Sequence, residues 1–128
     1  MIVLDASVLI AYLDRSDTHH DAAEALLVDA VDDDLGADPL TLAEVLVVPA
    51  RMGRLETAVS ALRDLDVASL PFPGNAAVRL AELRASTGLK VPGCCVLLAA
   101  EHTGASIASF DAGLAQAAEA RGVAVRRR

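Results

Sequence analysis

Short apolar runs alternate with helical stretches along the whole chain, and that alternation limits the fold more than any other feature. Ile2 to Leu4 reads as a short buried strand, and Asp5 followed by ASVLIAYL reads as a turn into a helix. HHDAAEALLVDAV (19–31) has helical composition, DDDLGAD (32–38) reads as a turn with a weak strand near Leu35 to Ala37, and TLAEVLVVPARMG (41–53) predicts a helix strained or ended near Pro49 and stopped by Gly53. A helix over RLETAVSALRDL (54–65), a strand in DVASL (66–70) and an amphipathic helix over NAAVRLAELRAST (75–87), closed by Gly88, follow. KVPGCCVLLAAE (90–101) opens a helix with Pro and Gly, ASIASF (105–110) reads as a buried strand, DAGLAQAAEARG (111–122) as a helix, and VAV (123–125) as a last strand before three arginines. Such a series implies an α/β domain whose mostly parallel sheet is covered on both faces.

A length of 128 residues with 54% hydrophobic content suits one compact domain spanning 1–128. One Tyr and two Phe leave the core to Ala, Leu and Val, and leave few platforms on which bases could stack. The balance of 18 acids against 11 bases, a formal net charge of -7, argues against holding nucleic acid through a broad positive field. It does not exclude nucleic acid, because carboxylates can gather cations that meet the phosphate. Cys94 and Cys95 are neighbours and badly placed to bridge each other, which fits a reducing cytoplasm. The N-terminus has no basic leader, and no apolar stretch reaches membrane-spanning length.

Ligands of parallel sheets bind outside the carboxyl ends of the strands, where Asp5 and Asp111 stand. Singly, each is explained as a helix cap, and Thr41-x-x-Glu44 fits a capping box. Jointly, two carboxylates at separate strand ends and a third amid Leu42, Ala43, Val45 and Leu46 would be costly to bury without a positive partner, and Lys90 is the only lysine. Mg²⁺ or Mn²⁺, which takes oxygen ligands, is the natural partner, and metal-activated water attacking a phosphodiester is the chemistry such a site implies.

The segments IVLDASVLIAYLD, TLAEVLVVPARMGR, VPGCCVLLAAE and ASFDAGLA, in this order and separation, resemble PIN-domain ribonucleases, most closely the VapC-like toxins of bacterial toxin–antitoxin pairs. The resemblance covers essentially the whole chain. It implies a three-layer α/β/α sandwich around a parallel sheet, a Mg²⁺- or Mn²⁺-dependent endoribonuclease site acting on RNA, a homodimer, and an antitoxin whose tail lies across that site. Position by position, Asp5, Glu44 and Asp111 match the family's first, second and last acids, and Ser7 and Ser109 match small hydroxyl residues that help hold the acids or water. Helices corresponding to 54–65 and 75–87 form the dimer contact and the antitoxin groove in that family; from sequence alone their stripes are core faces.

One acid of the family pattern is missing. The residue after the proline of the VP-x-C-C-like segment is usually Asp, and here it is Gly93. Residues 90–100 contain no acid, and Glu101 lies eight positions on, about 12 Å along a helix. Either glycine suits the backbone there, or an Asp has been replaced; Pro-Asp is ordinary first-turn chemistry, whereas Pro-Gly serves a helix poorly. In both cases weaker metal binding and slow or absent cleavage are expected, with the fold intact. A non-catalytic PIN-like module that binds antitoxin or RNA is the competing function. A phosphoacceptor receiver domain fits less well, since no paired acids follow the first strand and no lysine follows a late one.

Other residues have two readings each. His19 and His20 are a solvated helix start or ligands, and Cys94 and Cys95 are buried small hydrophobes or reactive thiols without CxxC spacing. Asp14 and Asp17 read as loop residues or acids on the site rim. Arg15, Arg51, Arg54, Arg79 and Arg84, and the tail Arg126 to Arg128, are solvated charges or contacts to phosphate or an acidic partner segment.

Overall fold

The computed structural model describes residues 1–127. Five short strands, β1 (Ile2–Leu4), β2 (Leu35–Ala37), β3 (Val67–Ser69), β4 (Ser106–Ala108) and β5 (Val125–Arg126), form one sheet in the order β3-β2-β1-β4-β5. Every pairing is parallel. The helices are α1 (Ala6–Leu13), α2 (His20–Asp29), α3 (Pro39–Arg51), α4 (Leu55–Asp64), α5 (Ala76–Thr87), α6 (Val91–Thr103) and α7 (Ala112–Ala120).

Strand periodicity divides the core into two layers. Ile2 and Leu4 point into a cluster with Val8, Leu9, Leu26, Val45 and Leu62 from α1 to α4. Val3 points the other way, with Ile107, into a cluster with Leu83, Leu97, Leu98 and Leu114 from α5 to α7. Helices therefore cover both faces of a parallel sheet, as the alternating pattern implies. In the central helix α6, Cys94 to Ala100 are all buried, and Gly88 (φ 73°) and Gly104 (φ 70°) end α5 and α6 in the left-handed conformation. Gly36 is needed for a different reason: a Cβ there would stand 2.7 Å from the side chain of Leu70.

The structure departs from the sequence reading at several ends. The helix expected from residue 41 starts at Pro39, because Asp38 caps it and its carboxylate accepts from Thr41 N at 3.0 Å. Thr41 is thus inside the first turn, and the Thr41–Glu44 capping box does not form. Pro49 sits within α3 without ending it, so the helix runs to Arg51. The last strand lies at Val125–Arg126 and not at 123–125, since Val123 N is drawn to Ala118 O of α7 and pairing begins with Ile107 N to Ala124 O.

Candidate active site

The parallel register lines up the residues that follow the strands. Leu4 pairs with Ala108 and Val3 with Gly36, so Ser109, Asp5 and Asp38 stand level on three adjacent chains at the carboxyl edge of the sheet. Asp5 and Asp111 both cap the helices they precede, accepting from Val8 N at 3.1 Å and Leu114 N at 3.0 Å. The capping explanation of each acid is therefore correct as local structure.

Asp5 is more than a cap. It is 5% exposed, and Ser7 Oγ donates to its Oδ1 at 2.6 Å while Ser109 Oγ donates to its Oδ2. The same two hydroxyls accept from the next loop: Ser7 Oγ from Phe110 N at 3.0 Å, and Ser109 Oγ from Asp111 N at 2.9 Å. Two serines thus fasten the β4–α7 turn to the β1–α1 turn and fix the carboxylate between them. Burial pushes the Asp5 carboxyl above its ordinary range, partly offset by the hydrogen bonds from Ser109, Ser7 and Val8, with the nearby Asp111 charge adding a smaller upward push.

One open cleft of about 490 Å³ gathers the acids. Asp5, Ser7, Glu44, Gly93 and Asp111 line it, together with Thr41, Lys90 and Pro92. Ser109 is fully buried behind Asp5. Glu44 and Asp111 are exposed. The desolvation argument made from sequence for three buried carboxylates therefore applies to Asp5 alone, because α3 and α7 present the other two on the cleft rim. Three carboxylates from separate segments are donors of the type a hard divalent cation takes. Their oxygens do not all lie within 4.8 Å of one another, so rim side chains would have to turn inward to share one ion.

Position 93 does not require glycine. Its φ lies outside the left-handed range, and a Cβ would meet the Leu89 side chain only at ordinary contact distances, 3.6 Å at the closest. A side chain at 93 has room beside the cleft. Glu101 cannot replace it, since its carboxylate is held by Arg121 Nε at 2.9 Å and by Arg79 Nη2 at 3.5 Å, away from the cleft lining.

Most of the residues with two readings make local structural contacts. His20 Nδ1 donates to Ala11 O at 2.8 Å and its Nε2 lies 3.3 Å from Glu24, while His19 stacks on Phe110 at 5.1 Å between centroids. His20, Asp21 and Glu24 form a small group at the start of α2, outside the cleft lining. Both cysteines are free and buried; burial, followed by the charges of Asp38, Cys94 and Glu44, pushes the Cys95 thiol up to about 12, so it is no thiolate at neutral pH. Asp14 accepts from Ser16 N and Asp17 from His19 N within the α1–α2 loop. Arg84 donates to Leu89 O, and Arg126 and Arg127 pair with Asp33 and Glu119. Arg15, Arg51 and Arg54 are exposed, with no ion pair among the described residues. Arg128 lies outside the described residues.

Sequence reasoning missed Asp38 and gave its capping role to Thr41. Asp38 is fully buried, and its two oxygens accept from Thr41 N and, at 2.7 Å, from Thr41 Oγ1. The signal was present: Asp followed by Pro after a short strand is a capping residue and a first-turn proline.

The PIN domain family model matches residues 2–120. The chain belongs to the PIN-domain family. Among solved PIN-like structures, Mycobacterium tuberculosis VapC20, a Sarcin-Ricin loop cleaving toxin, superposes with a TM-score of 0.79 at 17% identity over 100% of both chains. FitAcB from Neisseria gonorrhoeae gives a TM-score of 0.73 at 21% identity, over 99% of this chain and 97% of that one. VapBC2 from Rickettsia felis, solved with a promoter DNA fragment, gives 0.75 at 13% identity over 98% of each. These likenesses establish the fold. No curated protein sequence matches the chain. Among the described residues of this PIN-domain protein, no single helix is long and apolar enough to cross a membrane.

Proposed function

We propose that this PIN-domain protein, a single domain over 1–128, is a Mg²⁺- or Mn²⁺-dependent endoribonuclease of the toxin–antitoxin kind, working in the cytoplasm and weakened by Gly93. The observation that carries the reading is the cleft at the carboxyl edge of the sheet, lined by Asp5, Glu44, Asp111 and the side-chain-free position 93. Asp5, Glu44 and Asp111 would hold the cation. When bound, it would supply an activated water and neutralise charge on the RNA phosphate. Ser7 and Ser109 orient Asp5, and Lys90, the one basic residue on the cleft lining, would be a counter-charge for phosphate. With one carboxylate fewer than the family pattern, the cation is held weakly and cleavage is slow.

A homodimer and an antitoxin partner complete the proposal. Val47, Val48 and Met52 of the α3 end and Leu55 of α4 are exposed near the α3–α4 joint, and Val78 of α5 is exposed as well, leaving apolar surface that a second copy or an antitoxin segment would cover. The test is cleavage of a structured RNA by the purified chain and by Gly93→Asp, each with Mn²⁺ and with EDTA. Mn²⁺-dependent cleavage by Gly93→Asp, lost again in Gly93→Asp/Asp5→Asn, is the expected result. RNA binding by both chains with no cleavage under any condition would instead identify a non-catalytic binding module.

A further inference from the structure

Asp38 is the one fully buried carboxylate in the molecule's described part, and the chemistry above makes no use of it. Its local role is to cap α3, but a cap needs only one acceptor for a backbone N–H, and Asn or Ser serves equally well. What a cap does not require is a full charge out of contact with solvent. No ion pair among the described residues includes Asp38, and its hydrogen-bond donors are Thr41 N and Thr41 Oγ1. A buried charge so placed is costly unless a positive charge lies nearby.

Its position says where that charge would be. By register Asp38 stands level with Asp5 on the neighbouring strand end, one strand spacing away, about 5 Å. Its partner Thr41 lines the cleft, and Glu44 follows one turn later on the same helix.

We propose that Asp38, held in place by the Thr41 hydroxyl, is a positioning residue that adds negative charge to the cation cleft from outside the ligand set. Thr41 Oγ1 donates to Asp38 Oδ2 at 2.7 Å, and Thr41 is itself only 1% exposed, so the pair fixes the carboxylate behind the cleft wall. A cation there would have three carboxylates as ligands and a fourth carboxylate behind the wall. The inference rests on the cation reading of the cleft and adds to it a residue outside the ligand set.

The test is Mn²⁺ affinity, measured by calorimetry on the chain and on Asp38→Asn, which is isosteric and still caps α3 but carries no charge. A unit charge within about 10 Å of a dication, at an effective dielectric of about 20, predicts at least a tenfold rise in Kd. The metal-free melting temperature should hold or increase, because an unpaired buried charge is removed. A purely structural cap predicts the same Kd in both chains, and that result overturns the proposal. If Asp38→Asn fails to fold, Asp38→Ser makes the same comparison. If the natural chain binds too weakly to titrate, both measurements move to the Gly93→Asp chain, where equal constants again overturn it. Failure of the cation reading is distinguishable: then neither the chain nor Gly93→Asp binds Mn²⁺ at all, and this inference falls with it.

Discussion

Replacing Gly93 with Asp isolates one charge in an otherwise unchanged scaffold. The Cβ meets Leu89 at 3.6 to 3.9 Å, ordinary contact, so the backbone accepts a side chain there. Position 93 is the third residue of α6, where an Asp complements the helix dipole by about 0.3 to 1 kcal/mol and has a helix propensity better than glycine's by only roughly a few tenths of a kcal/mol. Repulsion from Asp5, Glu44 and Asp111 opposes these gains without metal, so the metal-free stability should change by no more than about 1 kcal/mol. Metal reverses the balance. A carboxylate about 5 Å from a dication gains roughly 1.7 kcal/mol even at the dielectric of water, and more in a half-enclosed cleft. A net of about 2 kcal/mol corresponds to an approximately thirtyfold tighter Mn²⁺ complex. Calorimetric titration reads this directly, and the extra melting-temperature gain on adding Mn²⁺ should approach a few degrees per kcal/mol at this chain length. Equal Mn²⁺ constants for the natural chain and for Gly93→Asp would refute the assignment of position 93 to the cation site.

Three further outcomes follow from other contacts. Ser109→Ala leaves Asp111 N without its acceptor and Asp5 Oδ2 without its donor, both beside buried surface, so a loss of about 1 to 3 kcal/mol is expected in chemical denaturation; a change below a few tenths would show that the serine bridge is idle. Gly36→Ala drives a methyl to 2.7 Å from the Leu70 side chain and should cost about 1 to 3 kcal/mol, read in the same assay, whereas Gly74→Ala, with open space around it, should be close to neutral. Asp5→Asn tests the raised carboxyl. In the folded chain Asp5 holds its proton more tightly than in the unfolded chain, so its contribution to stability is fully present below the ordinary carboxylate value of about 3.9 and is lost as pH rises through its raised value. Metal-free Asp5→Asn should therefore gain on the natural chain near neutral pH and lose that advantage on acidification; a difference in melting temperature that ignores pH would contradict the burial argument.

The strand and helix alternation was legible because β1 is a run of consecutive apolar residues, β4 is largely so, and nearly every helix has a buried stripe. The acids at 5 and 111 were legible because parallel topology makes every strand end a candidate site. Less visible was what lies between those ends. Ser7 and Ser109 stand near opposite ends of the chain, and only the β1–β4 register makes them two halves of one clamp on Asp5. Asp38 escaped notice because Leu35-Gly36-Ala37 is a weak strand signal: Gly36 is there for Leu70, a contact that no local pattern encodes. The capping box misled for a related reason. Thr41 and Glu44 have the right spacing, but Asp38 takes the first turn three residues earlier, leaving Thr41 to face Asp38 and Glu44 to face the cleft.

These details bear on how the absence at position 93 is to be understood. A site that had lost its cation altogether would gain stability by replacing Asp5, which is buried, held near two other acids and raised in pKa by desolvation. Yet the serine clamp keeps this carboxylate ionisable and fixed, with Ser7 and Ser109 each tied to both Asp5 and the loop that carries Asp111. A Cβ at position 93 would make only ordinary contact with Leu89, and Glu101 is committed to Arg79 and Arg121. On the proposed reading the site lacks one side chain, in a scaffold that fixes Asp5 and leaves Glu44 and Asp111 on the cleft rim. That is why a single substitution, and not a redesign of the cleft, is expected to restore tight cation binding.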